Sequence, residues 1–326
     1  MRKTLSDFFL KNQILVALLV VATAWAIVAM REVIVALFVS YIIMSAIFPV
    51  VKFLRKKGVP RPLAAALPYI ATIAVIVLLI ISILPFFISQ ISLLFSILPG
   101  YLNHDVDFFG ARVHSAQIGT FATSEIGNIG TNAINVTARV FGGIVSAVSI
   151  FAVSFYLLLY RDTVIKSFAG LFPKRHQARV EKTVVLVEDK LGNWLRGQIV
   201  LSACIGVLIW VVLTIIGIEF ALPLAVLAAM LEIVPTIGPI VSALPAVLVA
   251  LSISPVMAII VAVSYFFVQL LENHVLVPRI MQKAVGLNPI VIIIGIIVGG
   301  KLLGIPGALL AIPFISLLVV VYKNLE

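Results

Sequence analysis

The 326-residue sequence is 63% hydrophobic and only 11% charged, a balance that excludes a water-soluble globular domain and marks an integral membrane protein. Its net charge of +10 is not a nucleic-acid signature. The cations gather in three alternate segments, with Arg2, Lys3 and Lys11 before the first apolar run, five in 52–62 and eight in 161–198. This positive-inside bias reads those segments and the N-terminus as cytoplasmic, and it suits anionic lipid. The single Cys204 lies in an apolar run and reads as a small core residue, which excludes a disulfide framework or a multi-cysteine metal site.

In chain order, the apolar runs predict about eight hydrophobic helical segments, six near the length a bilayer requires and two longer and broken, in an all-α polytopic membrane protein. Segment 14–30 has a basic start and an Ala24-Trp25-Ala26 triplet, but only Arg31 and Glu32 separate it from the next run. It therefore reads as a retained helix rather than a cleaved leader. With segment 33–51 it is expected to form a tight hairpin turning at Arg31-Glu32. A third span runs from about Leu63 to Leu84, and the piece from Pro85 to Pro99 reads as an interfacial helix.

Region 100–139 spaces Ile118, Phe121, Ile126, Ile129, Ala133, Val136 and Val140 as an amphipathic outer helix. A span at 140–160 follows. Segment 161–198 then carries a stripe of Val180, Val184, Val187, Leu191 and Trp194, expected to pack on membrane or on another protomer. Another span covers 199–217. The layout is one membrane domain over 1–326: N-terminal spans in 1–98, the outer amphipathic region in 99–139, a span at 140–160, the cytoplasmic amphipathic region in 161–198 and a motif-rich half in 199–326.

Two further segments, 221–253 and 289–322, are too long for one span and are interrupted. The first breaks at Pro235-Thr236-Ile237-Gly238-Pro239, the second around Gly299-Gly300-Lys301 and Gly304-Ile305-Pro306-Gly307. A run of that length would reach about 50 Å as one helix, against a bilayer core of about 30 Å, whereas halves of about 14 residues are too short to cross alone. Paired interrupted helices point to the binding site of a secondary transporter. If both are re-entrant hairpins, Arg279, Lys283 and the C-terminal Lys323 fall on the cytoplasmic side; full crossings would place Arg279 and Lys283 outside. Pro239 to Pro245 and Gly307 to Pro313 share a six-residue step, as a degenerate inverted repeat would.

A Pro-Gly-Pro break at membrane depth must be buried in protein or face water, so its backbone groups are available to a solute. Intramembrane charges are the next pointer: Glu232, just before Pro235, and Lys301, within the second break, have opposite signs at corresponding places and are expected to pair or to meet a polar solute. Gln269, Glu272 and Asn273 fall at helical steps at the end of segment 255–271, with His274, Arg279 and Gln282 in the loop beyond. A gate and an ordinary helix end explain them equally well. No enzyme signature stands: Gly295 to Lys301 matches a phosphate loop only until Leu302, where Ser or Thr is needed, and the four histidines are scattered. No cofactor or metal is expected beyond a coupling proton or sodium ion.

The motifs Leu195-Arg196-Gly197-Gln198, Glu232-Ile233-Val234-Pro235-Thr236-Ile237-Gly238-Pro239 with Pro245-Ala246, Gln269-Leu270-Leu271-Glu272-Asn273, Val277 to Met281, Val285 to Pro289 and Gly304 to Pro313 resemble the autoinducer-2 exporter or PerM-like permease family of bacterial membrane proteins. The likeness spans nearly the whole chain. It implies an inner-membrane permease, counted as eight helices and assembled as a homo-oligomer, a pentamer, with both termini cytoplasmic. Some relatives look like exporters of autoinducer-2, others like sodium(lithium)/proton antiporters. The aromatic that the family carries in its first break is replaced by Thr236 here, which leaves that ring's role without a counterpart.

The reading is thus a secondary permease exporting a small hydrophilic solute by alternating access. Its pathway comprises Glu232, Pro235, Thr236, Gly238, Pro239, Gln269, Glu272, Asn273, Arg279, Lys301, Gly304 and Gly307. The alternatives are an antiporter and a non-transporting oligomeric scaffold.

Overall fold

The computed structural model describes residues 13–79, 81, 133–234, 237–281 and 289–325, and every regular element among them is helical. We label these α1 (Gln13–Ala29), α2 (Arg31–Lys56), α3 (Arg61–Leu79), α4 (Ala133–Leu159), α5 (Arg161–Gly170), α6 (Lys174–Ile216), α7 (Ala221–Leu231), α8 (Ile237–Ile253) and α9 (Pro255–Leu271). A π-helical turn, Glu272–Leu276, leads into α10 (Val277–Met281), and the chain closes with α11 (Pro289–Leu303) and α12 (Ile305–Leu325). Five of these helices, or six if the bent pair α4–α5 is one span, are long and apolar enough to cross a bilayer. The surface is inverted relative to a soluble protein: Ile215, Ile240 and Trp25 are more than 70% exposed, as side chains facing lipid would be.

The organising element is α6, a 43-residue helix about 65 Å long that ends at Gly217, whose positive φ of 86° closes the helix in the left-handed conformation. Its first half carries the Val180, Val184, Val187, Leu191 and Trp194 stripe. Val187, Leu191 and Trp194 are buried in the cluster that also takes in Ile42 of α2 and Met281 of α10, whereas Val180 is buried outside it and Val184 is half-buried. Most of the stripe therefore packs on the molecule's own helices. Close approach is possible because Gly192 sits against the Ser45 carbonyl of α2, where a Cβ would overlap it.

A second core joins α2, α3 and α4. Tyr69 of α3 shares a 2.6 Å hydrogen bond with Ser154 of α4 and meets Phe151 and Phe155 edge-on, and Arg61 donates to the Leu159 carbonyl at 2.6 Å. Polar side chains in an apolar surrounding find partners or cost free energy, and these bonds lock two spans in register.

Several sequence expectations are revised. Around Met30, Met30 N–H bonds to Ala26 and Ile34 N–H bonds to Met30, so helical bonding continues into α2. The joint is a bend at one residue, not the antiparallel hairpin that Arg31-Glu32 was expected to turn. Residues 272–281 are helical rather than loop. The halves of the broken segments are unequal, with 11 and 17 residues in the first and 15 and 21 in the second, so α12 alone is long enough to cross. The expected interfacial helix at 85–99 and most of the outer amphipathic region lie outside the described residues.

Both broken segments do fold back. Eight residues of straight helix would separate Gly299 from Gly307 by about 12 Å. Their backbones touch instead, and Gly295 lies against Ala311 and Ile315, so α11 and α12 form an antiparallel hairpin turning at Gly304, φ +65°. In the first segment Gly238 touches the Leu231 carbonyl seven residues back, which a continuous helix cannot achieve.

Candidate functional site

The site grows from one turn of α6. Three neighbours in its Leu195-Arg196-Gly197-Gln198 stretch each hold a different element. Arg196 Nη1 donates to the Ser45 and Ala46 carbonyls of α2 at 3.2 and 3.0 Å, while its Nη2 reaches Asn193 at 2.9 Å. Gly197 gives way to Met281 of α10, whose sulfur would stand 3.0 Å from a Cβ there. Gln198, 1% exposed, donates Nε2 to the backbone carbonyl of Glu232 at 2.7 Å.

That last bond fixes the end of α7. The helix is brought onto α6 by small residues, Gly206 facing Ala225 and Ala229, where a Cβ on Gly206 would stand 2.8 Å from that of Ala229. α7 stops at Leu231 because the chain must reverse at the following break. Glu232 caps it with its N–H still bonded to Ala228 at 2.9 Å, and Gly238 then seats on the Leu231 carbonyl. Beyond the reversal, Ser242, 1% exposed, bonds to the Pro239 carbonyl at 3.0 Å.

Glu232 is fully buried, and among the described residues neither of its carboxyl oxygens meets a donor. Its companion is Glu272, itself 4% exposed, and the two carboxyl groups stand within hydrogen-bonding and Coulombic range. A contact of that kind is bonded only if a proton lies between the two acids.

Glu272 is placed by an irregularity. Pro278 lacks an N–H, and its ring crowds the carbonyl four residues back, that of His274, so the helix widens by one residue. Val277 N–H accordingly bonds to Glu272, a five-residue step that closes the π turn. Widened turns of this sort recur at functional sites. The turn also rotates the side chains: Gln269 is half-buried and Glu272 buried, whereas Asn273, His274 and Arg279 are exposed, so the expected single polar face is divided.

The structure thus brings together Glu232, Gly238, Pro239 and Glu272, with Gln269 one turn away on α9. Pro235, Thr236, Gln282 and Lys283 lie outside the described residues. Lys301, Gly304 and Gly307 belong to the other hairpin. Lys301 is exposed while Glu232 is sealed in the core, and both ion pairs among the described residues belong to Arg161. The expected Glu232–Lys301 pair is therefore replaced by a pair of acids, because α12 packs on α6 and meets α2 through Phe314 and Phe38, with α11 folded onto α12, instead of closing over the first break.

Gln198 is the site residue that sequence reasoning missed. Its signal was a polar side chain at the point where α6 turns from amphipathic to wholly apolar. Gln198→Leu is expected to leave the Glu232 carbonyl buried without a donor and to cost about 1–3 kcal/mol, read as a fall in Tm of the purified protein.

Comparison with known proteins gives a consistent picture. A family model described as "AI-2E family transporter" matches residues 14–326. The chain is 27% identical over 297 residues to "Putative transport protein YrrI" of Bacillus subtilis (strain 168), covering 87% of this chain and 83% of that protein. It is 28% identical over 306 residues to "Putative transport protein YhhT" of Escherichia coli (strain K12), covering 88% and 83%. A shorter match of 142 residues, 28% identical and covering 43% of this chain and 40% of the relative, is to "AI-2 transport protein TqsA" of Escherichia coli (strain K12).

Proposed function

Because the chain belongs to the AI-2E transporter family and is a multi-span permease-type protein, we propose that it is a secondary exporter of a small hydrophilic solute of the autoinducer-2 kind, driven by protons that pass through the Glu232–Glu272 pair. It would act in the bacterial inner membrane as a homo-oligomer with both termini cytoplasmic. The observation that carries the coupling is the burial of two neighbouring carboxyl groups with no cationic partner among the described residues. Two negative charges at that range in a desolvated site repel each other. A proton, or a cation, held between them removes the repulsion, and such an ion is one the protein can take up and release.

The supporting geometry is the reversal at the first break. The α7–α8 hairpin bears Glu232 on its turn and the π turn after α9 bears Glu272, so a small shift of the hairpin against α6 changes the spacing of the acids. Alternating access of that kind couples the carboxyl pair to whichever face the cleft opens towards. The name of the relative TqsA supports the autoinducer-2 class of solute.

The test is flux in proteoliposomes. Autoinducer-2 loaded inside is expected to move under an imposed pH gradient and to stop moving when a protonophore collapses it. Sodium-dependent proton movement without autoinducer-2 flux would favour the antiporter reading, and no flux of solute, sodium or protons would favour the scaffold.

A further inference from the structure

Away from the carboxyl pair, a cavity of about 410 Å³ opens where α4 ends and α5 turns off at 78°. Its walls come from α2, α5, α6 and α12, including Met44, Val164, Phe168, Val187, Leu317 and Val321. Volume and lining fall in the range of small-molecule sites. At its lip, Val164, Phe168 and Phe172 are between 39 and 47% exposed, and Leu171 next to them is 80% exposed. Large side chains so exposed at the end of a span, on a short helix that bends away from the bundle, lie where headgroups meet acyl chains.

The polar part of the wall is internally neutral. Arg161 donates to Glu188 through Nε at 2.8 Å and through Nη2, and its guanidinium stacks over Phe48 at 4.3 Å. Among the described residues Glu188 Oε1 has no hydrogen-bond partner, with the Tyr41 hydroxyl in its vicinity. The surroundings are not neutral: between residues 161 and 182 six cations stand against two acids, and Asp162 is already engaged by Arg161. Lys166, Lys174 and Arg175 are exposed on α5 and on the first turn of α6, close in sequence to the lip residues.

We propose that this cavity is a binding site for an anionic phospholipid, with one acyl chain in the apolar pocket and the phosphate held by Lys166, Lys174 and Arg175. An apolar pocket at the end of a span fits a chain, and the exposed cations that flank the lip residues in sequence select the anionic headgroup. The lipid would wedge between α5 and α6, at some distance from the site assigned to transport, so its loss and the loss of proton coupling are separable.

The test uses the purified full chain, stripped of lipid in detergent, titrated with dioleoylphosphatidylglycerol or dioleoylphosphatidylcholine while Tm is followed. The anionic lipid is expected to raise Tm at much lower concentration. The Lys166→Gln/Lys174→Gln/Arg175→Gln variant should weaken that response on the order of fivefold per cation removed. Val164→Trp, which fills the lip from an exposed position, should abolish it. Equal responses to the two lipids, or an unchanged response in the charge variant, would overturn the proposal. So would an oligomer that falls apart in Val164→Trp without lipid dependence, since the cavity would then be covered by a second copy of the chain.

Discussion

Glu232→Gln is expected to yield a well-folded protein whose proton-driven efflux falls by at least about tenfold, equivalent to about 1.4 kcal/mol on the rate-limiting step. The amide keeps the shape of the carboxyl and can donate to Glu272 across the fully buried contact. A formed hydrogen bond to a charged acceptor replaces a contact that needs a shared proton, so stability should hold or rise by about 1 kcal/mol. Function behaves oppositely, because an amide neither takes up nor releases a proton. Glu272→Gln should show the same pattern, and the double variant should be no worse than either single one, since residues acting as a unit are not additive. The check is autoinducer-2 efflux from proteoliposomes under an imposed pH gradient, with Tm measured alongside. Wild-type dependence on that gradient in Glu232→Gln would remove the carboxyl pair from the mechanism.

How much of this was legible beforehand follows from what hydrophobicity can and cannot encode. The spans, the two breaks and Glu232 as an ionisable residue within an apolar run stand out in the chain, because length against bilayer thickness and the cost of a buried charge are one-dimensional signals. The partner of Glu232 was not legible. Lys301 has the right sign and a matching place in its own segment, but which helices meet depends on three-dimensional packing. Here α12 lies on α6 through apolar contacts and on α11 through glycine contacts, none of which carries a charge signal. Glu272 was noticed as a polar position on one face with Gln269 and Asn273, yet the π turn at Glu272–Leu276 buries it while leaving Asn273 exposed, which a regular 3.6-residue pattern does not foresee. The stripe on α6 was visible as a packing face. What it packs against could not be read, since an amphipathic stripe has the same period whether it covers lipid, a partner or its own core.

The backbone contacts of the two hairpins lead to the other large effect. A Cβ on Gly307 would overlap the carbonyl oxygen of Gly299, and one on Gly238 would overlap that of Leu231. In each case the obstacle is backbone, which cannot rotate aside as a side chain can, so the helices must part. Overpacking of a tight contact costs about 1–3 kcal/mol and more where nothing yields, and Gly307→Ala and Gly238→Ala are expected at the upper end of that range. Gly142→Ala is the control: it sits in α4 with no neighbour within 4 Å of its new methyl, and helix propensity alone should leave it neutral or more stable by up to about 1 kcal/mol. The two destabilised variants should then differ in function. Gly307→Ala loosens the α11–α12 hairpin, which does not hold the acids, so the folded fraction retains proton-driven flux. Gly238→Ala forces apart the turn that sets Glu232 against Glu272, so flux per folded molecule drops with stability. Tm in detergent together with flux normalised to folded protein checks both. Equal loss of specific flux in the two variants would mean that both hairpins, and not the first alone, build the transport site.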